Sequence, residues 1–403
     1  MSSALQGKNV VLCVTGGIAA YKAADLTSRL RKLGAQVYII MTESATHFIT
    51  PLTLEVLSEH RVVTDMFDRT FTWEVEHISL AKRADVFVIA PATANIIGKA
   101  AHGIADDMVS TTLMATKAPV VFAPAMNTNM YENPIVQQNI ASLKARGMRF
   151  VEPASGRLAC GDTGKGKLAD PADIAHAIET AATPQDLAGL SVLVTAGPTR
   201  EAMDPVRFIS NHSTGKMGYA IAQRAQMRGA KVTLVSGPVS LTAPAEVSVI
   251  PITSAMQMHD AVMEQLPTHD WVIKAAAVGD YRPETTAEDK LKKKADEMSV
   301  ALVKNPDILK EIGAKKRENQ TVCGFSMETR DLIQNSRVKL ESKNCDMLVA
   351  NNLKTEGAGF AHDTNVATLL YRDGSSEPLS LMQKDSLADI VLDRMLALHR
   401  KKG

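Results

Sequence analysis

Leu190-Ser-Val-Leu-Val-Thr-Ala-Gly-Pro-Thr-Arg-Glu201 begins the chain a second time. An apolar run that ends in a turn of small residues, with a helical pattern downstream, is how a nucleotide-binding α/β domain opens. The amino terminus reads the same way. Lys8-Asn-Val-Val-Leu-Cys-Val-Thr-Gly-Gly17 has the composition of a buried parallel strand and runs into Ile18-Ala-Ala-Tyr-Lys22, a helix start. Between the openings lies Ala181-Ala-Thr-Pro-Gln185, rich in Ala, Thr and Pro. Two separately built sheets are therefore expected, with the seam near residues 183–190: one domain over 1–185 and another over 186–403.

Composition agrees with that division. A chain of 403 residues exceeds what one core usually serves, and a hydrophobic content of 45% lets each half bury a sheet. Net charge is +1, from 45 basic and 44 acidic residues, so no global field gathers a polyanion and nucleic acid is not an expected partner. Any phosphate must be met locally. Met1-Ser-Ser-Ala-Leu-Gln-Gly-Lys8 lacks a signal-peptide layout, and no apolar run approaches the roughly 18 residues of a membrane span. A soluble, cytoplasmic protein without membrane contact is expected. Cys13, Cys160, Cys323 and Cys345 are too widely spread for a CxxC pair or a zinc site and read as free thiols.

In the first half strand and helix patterns alternate. A helix over Lys22 to Leu33, ended by Gly34, leads to the strand Gln36-Val-Tyr-Ile-Ile-Met41. Asp85-Val-Phe-Val-Ile-Ala90 and Pro119-Val-Val-Phe-Ala-Pro124 are further strands that run straight into small residues and proline. Ligands of open α/β sheets bind along the carboxyl edge, where Thr15-Gly-Gly17, Pro91-Ala-Thr-Ala-Asn95 and Pro124-Ala-Met-Asn127 converge. A helix starting after Gly17 suits a phosphate. His77 and Asn127 add polar groups, and Gly156-Arg-Leu-Ala-Cys-Gly-Asp-Thr-Gly-Lys-Gly166 is too glycine-rich for a stable helix. It reads as a mobile flap carrying the Cys160 thiol. Taken singly, these residues are a surface histidine, a turn asparagine and a loop cysteine.

In the second half a helix-like segment follows Thr214, and Lys231-Val-Thr-Leu-Val-Ser-Gly237 and Trp271-Val-Ile-Lys-Ala-Ala-Ala277 are again strands ending in small residues. Ser213-Thr-Gly-Lys-Met-Gly218 has the wrong spacing for a Walker loop, which disfavours a P-loop kinase. Lys290, Lys292, Lys293 and Lys294 form a dense cationic run. By composition that is a solvated loop; beside Asp280 and Asn305-Pro-Asp-Ile308 it reads as a triphosphate clamp.

These motifs resemble a known family. His77 in Glu76-His-Ile-Ser-Leu80, the run Pro124-Ala-Met-Asn-Thr-Asn-Met130 and the Cys160 flap resemble the flavin-dependent cysteine decarboxylases, phosphopantothenoylcysteine decarboxylases in particular. Thr195-Ala-Gly-Pro-Thr-Arg-Glu201, Ile209-Ser-Asn-His-Ser-Thr-Gly-Lys-Met-Gly218, Ala275-Ala-Ala-Val-Gly-Asp-Tyr-Arg282 and Lys290-Leu-Lys-Lys293 resemble phosphopantothenate-cysteine ligase. The order of the halves is that of the bacterial bifunctional coenzyme A biosynthesis enzymes, and the resemblance covers nearly the whole chain. Tyr131 stands where Trp is frequent in the family, Gly279 where Ala is common, and Lys167 where Arg is usual.

The resemblance implies an α/β fold of two doubly wound, Rossmann-like domains, an N-terminal flavodoxin-like flavoprotein domain and a C-terminal nucleotide-binding ligase domain. For the first it implies FMN, held against Gly17, Thr93, Ser110 and Thr111. A cysteine carboxylate leaves as CO₂ only if an electron sink takes up the remaining charge, and the flavin makes one by oxidising the thiol to a thioaldehyde. His77 would handle a proton, Asn127 would hold the substrate carboxylate, and Cys160 would protonate the enethiol product. For the second half it implies amide formation between 4'-phosphopantothenate and L-cysteine through an acyl cytidylate, driven by CTP with Mg²⁺ at Asp280. Lys290 would offset charge at phosphorus and Asn211 would grip the acyl group. Lys274, Ala275, Ala276, Asp280, Asn305, Pro306, Asp307, Ile308, Phe325, Lys339 and Lys343 match positions around the nucleotide. Large homo-oligomers, possible dodecamers, built through the decarboxylase domain are implied as well. Two rival classes differ in what they need. A nicotinamide or flavin oxidoreductase needs a GxGxxG fingerprint, which is missing. A non-catalytic FMN-binding regulator need not keep Cys160 together with Lys290 and Asn211.

Overall fold

Along each strand that opens a half, side chains alternate between two cores. Val10, Leu12 and Val14 enter one cluster with Leu26, Leu30, Ile174 and Ile178, whereas Val11 and Cys13 enter another with Ile96, Ile97 and Val109. The second opening repeats this, with Val192, Val194 and Ala196 on one face and Leu193 on the other. A strand covered by helices on both faces has no polar side, which is why its sequence reads as a continuous apolar run. Fully burying each Val or Leu contributes about 1.5–3 kcal/mol.

The computed structural model describes residues 4–67, 75–157, 161, 163–292, 298–328, 331–352 and 362–402. They form two compact units, Ser3–Pro184 and Gln185–Gly403. The first carries a six-stranded sheet, in spatial order Val62–Val63, Gln36–Met41, Asn9–Val14, Val86–Ala92, Val120–Pro124 and Arg149–Phe150, all pairs parallel. The second carries an eight-stranded sheet: Ser248–Pro251, Lys231–Ser236, Ser191–Ala196, Trp271–Lys274, Thr321–Glu328, Met347–Asn352, Ala367–Tyr371 and Ser376–Pro378. Its first six strands run parallel in the same winding order as the first sheet, and the last two are antiparallel additions. In both, the progression reverses between the first and fourth strands, the switch point at which doubly wound sheets bind ligands.

Each sheet has its own fastening at the amino end of that junction. Asp85, just before the fourth strand of the first sheet, accepts the Asn9 amide at 2.8 Å and the Lys8 ammonium at 3.1 Å. Asp270 does the same in the second, accepting the Ser191 amide at 2.8 Å and its hydroxyl at 2.7 Å. At the start of the second unit, buried Arg228 binds both oxygens of Asp186 at 2.9 and 2.6 Å and reaches Asp393 of the last helix at 2.7 Å.

The glycine-rich stretch of the first half is a β-hairpin, Ala154–Arg157 against Thr163–Lys167. Its root docks on the turn after the fifth strand. The Met126 amide donates to Gly166 O at 3.0 Å, and a Cβ at Gly166, whose φ is +147°, would stand 2.3 Å from Met126 O. Glu152 ties the hairpin down by accepting from Lys165 at 2.7 Å, Tyr131 OH at 3.0 Å and Lys144 at 2.9 Å. The Lys165 ammonium, helped by Lys144 and Tyr131 against partial desolvation, holds this carboxyl down to about 2.

A chain divided between residues 185 and 186 is expected to give two fragments that each unfold in one cooperative transition by circular dichroism. A 186–403 fragment without such a transition would overturn the division. Glu152 makes a second expectation. Its folded pKa lies below the unfolded value of about 4.3, so the stabilisation is complete above that value and is lost as pH falls toward 2. Because the carboxylate is half exposed, screening limits it to about 1 kcal/mol. Glu152→Gln should lower the melting temperature of the first unit by about 2–4 °C at pH 7. The difference from wild type should shrink progressively between pH 4.5 and 2; a constant difference would remove the carboxylate from the account.

Candidate active sites

At the carboxyl edge of the first sheet, the turns after the first, fourth and fifth strands and the hairpin root enclose a cavity of about 440 Å³. Two of the turns are pinned to each other by Thr15. This buried hydroxyl donates to Pro91 O at 2.7 Å and accepts from the Thr93 amide at 3.2 Å. Thr93 caps the helix Ala94–His102 and Asn127 caps the helix Thr128–Glu132, so each turn ends with its polar residue fixed by the backbone that follows. Gly17, Thr93 and Asn127 all line this cavity. Gly16 packs so closely that a Cβ there would lie 2.4 Å from Ser44 Cβ.

The other expected residues of this half stand elsewhere. Ser110 is fully buried and completes a capping box with Asp107 at the head of the helix Met108–Ala115. Thr111 follows it, its Oγ1 enclosed without a hydrogen-bond partner among the described residues. His77 is half-buried in the first turn of the helix Glu76–Arg83. None of the three lines the cavity. Cys160 lies outside the described residues; Arg157 and Thr163, which bracket its segment, face each other in the hairpin register. Sequence reasoning placed Met126 in one of the converging turns, missed Lys22, Arg157 and Met130 as lining residues, and met Lys167 only as a departure from the family. The available signal was basic residues set among glycines and at a helix start. Ile18, Met126 and Met130 give apolar wall for a flat ring system, and Lys22, Arg157 and Lys167 give cations for a phosphate, so the residues present fit FMN.

The carboxyl edge of the second sheet holds two adjoining cavities, of about 390 and 420 Å³, which share Lys274, Val278 and Phe325. Asn211, Ala275 and Ala276 line the first, and Asp280, Asn305, Pro306, Asp307, Ile308, Lys339 and Lys343 line the second. Backbone and side chain fix these groups together. The Ala276 amide donates to buried Thr195 Oγ1 at 3.1 Å, and Asn211 Nδ2 donates to Ala277 O at 3.1 Å. Asn305 holds the neighbouring turn, its amide on Asp280 O at 2.9 Å and its Nδ2 on Gly279 O at 2.8 Å. Gly279 has room for the family's usual alanine, since a Cβ would come no closer than 3.4 Å to its neighbours. Asp307 caps the helix Ile308–Lys315 and pairs with Lys343.

Lys216 and Lys384 line the first cavity and were not foreseen. Lys384 begins the last helix, Lys384–Arg400, far from any motif, and burial pushes its ammonium down to about 8. Burial also brings Lys274 down to about 8, with Asp307 and Asp280 opposing and Lys343 and Lys339 assisting. Lys290 is exposed and lines neither cavity. Its neighbour Leu291 is held by Asp204 and Arg207, and Lys293 and Lys294 lie outside the described residues. Among the described residues no group of three or more His, Cys, Asp or Glu side chains could hold a metal.

Residues 1–183 match the family model described as Flavoprotein, and residues 187–398 match that described as DNA/pantothenate metabolism flavoprotein C-terminal domain. The chain is 49% identical over 405 residues to the coenzyme A biosynthesis bifunctional protein CoaBC of Bacillus subtilis (strain 168), with 99% of each covered. It is 44% identical over 403 residues to the protein of the same description from Escherichia coli (strain K12), again with 99% of each covered. A solved PPC decarboxylase mutant complexed with pantothenoylaminoethenethiol is 33% identical with a TM-score of 0.40, over 43% of this chain and 97% of that one. With both halves matched and full length shared, the chain belongs to the CoaBC family of bifunctional coenzyme A biosynthesis enzymes, a flavoprotein decarboxylase half followed by a ligase half.

Proposed function

We propose that the second half joins 4'-phosphopantothenate to L-cysteine using CTP and Mg²⁺, and that the first half decarboxylates the product to 4'-phosphopantetheine with FMN. The observation that carries this reading is the pair of cavities sharing a wall at the second switch point, Asn211 on one side and the nucleotide candidates on the other. A condensation of two substrates needs such adjacency. A non-catalytic flavin-binding regulator would not.

In the ligase half a carboxylate oxygen of 4'-phosphopantothenate bonds to the α-phosphorus of CTP and pyrophosphate leaves. The cysteine nitrogen then attacks the acyl carbon and CMP leaves. Lys339 and Lys343 face the nucleotide, Asn211 grips the acyl group, and Lys290 offsets charge at phosphorus from the exposed segment that follows Tyr281–Pro283. Asp280 belongs to no group of three or more such ligands among the described residues, so Mg²⁺ would be held by it together with the nucleotide's own phosphates. In the decarboxylase half, bound FMN supplies the reversible hydride acceptance that turns the thiol-bearing carbon into an electron sink. Asn127 orients the substrate carboxylate without adding charge, His77 moves a proton, and Cys160 protonates the enethiol. Leu52 and Val56, exposed one turn apart on the helix Pro51–Ser58, offer an apolar face of the first unit for the homo-oligomer, up to a dodecamer, that the family resemblance implies. No helix among the described residues is long and apolar enough to cross a membrane, in keeping with a cytoplasmic site of action.

Incubating the protein with 4'-phosphopantothenate, cysteine and CTP should release pyrophosphate and CO₂ in equal amounts, and absence of pyrophosphate would overturn the ligase reading. Cys160→Ser should give one equivalent of CO₂ and then stop with the enethiol accumulated, because a hydroxyl is a far weaker acid than a thiol. Continued turnover at the wild-type rate would remove Cys160 from the mechanism. For the ligase, a single-turnover quench with labelled CTP separates two roles. Lys290→Gln should slow cytidylate formation about a hundredfold, the usual effect of losing a positioned cation. Asn211→Asp sets a carboxylate against the acyl phosphate, so cytidylate should accumulate. Equal intermediate in both variants would sink the division.

A further inference from the structure

Lys274 ends the strand Trp271–Lys274 beside the switch point, and among the described residues it is the charged side chain common to both cavities of the second unit. Its Nζ donates to Ala276 O at 3.0 Å, which aims it along the wall between them. Its strand partners in register, Thr195 and Gly324, carry no charge. On the nucleotide side it faces Asp280, Asp307, Lys339 and Lys343, and on the other side the cavity is lined by Lys216 and Lys384. Lys290, by contrast, lines neither cavity.

Activation requires two anions to meet across this wall, a carboxylate and a triphosphate. Their repulsion is strongest where water is scarce. We propose, resting on the reading of this half as a nucleotide-driven ligase, that Lys274 is a catalytic residue of the activation step. Its ammonium contacts the incoming carboxylate from one cavity and the α-phosphoryl oxygens from the other. It stays protonated while the carboxylate oxygen bonds to phosphorus and the bond from phosphorus to the pyrophosphate oxygen breaks, the electron pair leaving with pyrophosphate. Charge at this position is shared by both substrates, so its removal affects their joining more than the binding of either one.

Burial places the ammonium at about 8 in the ligand-free protein, so it is charged below that pH and loses its charge as pH rises through it. The pH profile of kcat/KM reports groups of the free enzyme. The test uses the full-length protein with CTP and 4'-phosphopantothenate, cysteine omitted, and reads pyrophosphate in a single turnover. Lys274→Gln should slow release about a hundredfold and Lys274→Arg less than about tenfold. In wild type kcat/KM for CTP should fall above about pH 8. In Lys274→Arg the fall should be shallower than in wild type, since a guanidinium does not titrate there and only Lys384 still does. Both variants should keep the cooperative thermal transition of the second unit by circular dichroism, which shows that the ligase half is folded. A Gln variant within about threefold of wild type, or an Arg variant that loses activity above pH 8 in step with wild type, overturns the assignment. No pyrophosphate from wild type brings down the ligase reading, and this proposal with it.

Discussion

Reversal of strand progression between the first and fourth strands is the constraint on which both halves depend. Crossover helices on either side of that junction lie on opposite faces of the sheet, so the carboxyl edge above it is left uncovered. Whatever binds there must be gripped by the turns that leave the strands. These turns hold their shape only if tied to one another, and buried threonine hydroxyls near the first strand's end serve in both sheets. Thr15 joins the Pro91 carbonyl to the Thr93 amide, and Thr195 accepts the Ala276 amide. Asp85 and Asp270 clamp the opposite ends of the same strand pairs. The junction is thus fixed at both ends and open at one.

What closes that opening differs between the halves, and the difference follows the chemistry. In the first, a hairpin rooted on Met126 and tied by Glu152 brings Arg157 and Lys167 to the cavity. A decarboxylation profits from exclusion of water. In the second, Lys274 and Phe325 divide the edge into two chambers, as a reaction between two bound substrates requires. A net charge of +1 conceals this. The chain is close to neutral as a whole, yet Lys22, Arg157 and Lys167 gather at the carboxyl edge of the first sheet and Lys216, Lys274, Lys339, Lys343 and Lys384 at that of the second.

The parallel strands were legible because burial on both faces forces an unbroken apolar run, and the turns because proline and small residues end those runs abruptly. The hairpin was not. Ala154–Arg157 and Thr163–Lys167 have little strand propensity, and they pair because Gly166 permits a close approach to Met126 that no other residue could make. Lys384 was invisible for another reason: it reaches the first ligase cavity from the start of the last helix, far beyond the Asn305-Pro-Asp-Ile308 motif, and only tertiary packing brings it there. Ser110, Thr111 and His77 teach the converse, since closeness to a motif in sequence did not bring them to the cavity wall. Ser110 meets a purely local demand, the unpaired amides at a helix head.

Lys274 joins these threads. A lysine at the end of a buried strand is costly unless something anionic arrives, and here burial lowers its pKa rather than excluding it from the wall. Asp280 and Asp307 favour the charged form while Lys339 and Lys343 oppose it, which leaves the ammonium less than fully compensated in the ligand-free protein. On the proposed ligase reading, a triphosphate in the second chamber would add the negative charge that favours the protonated lysine.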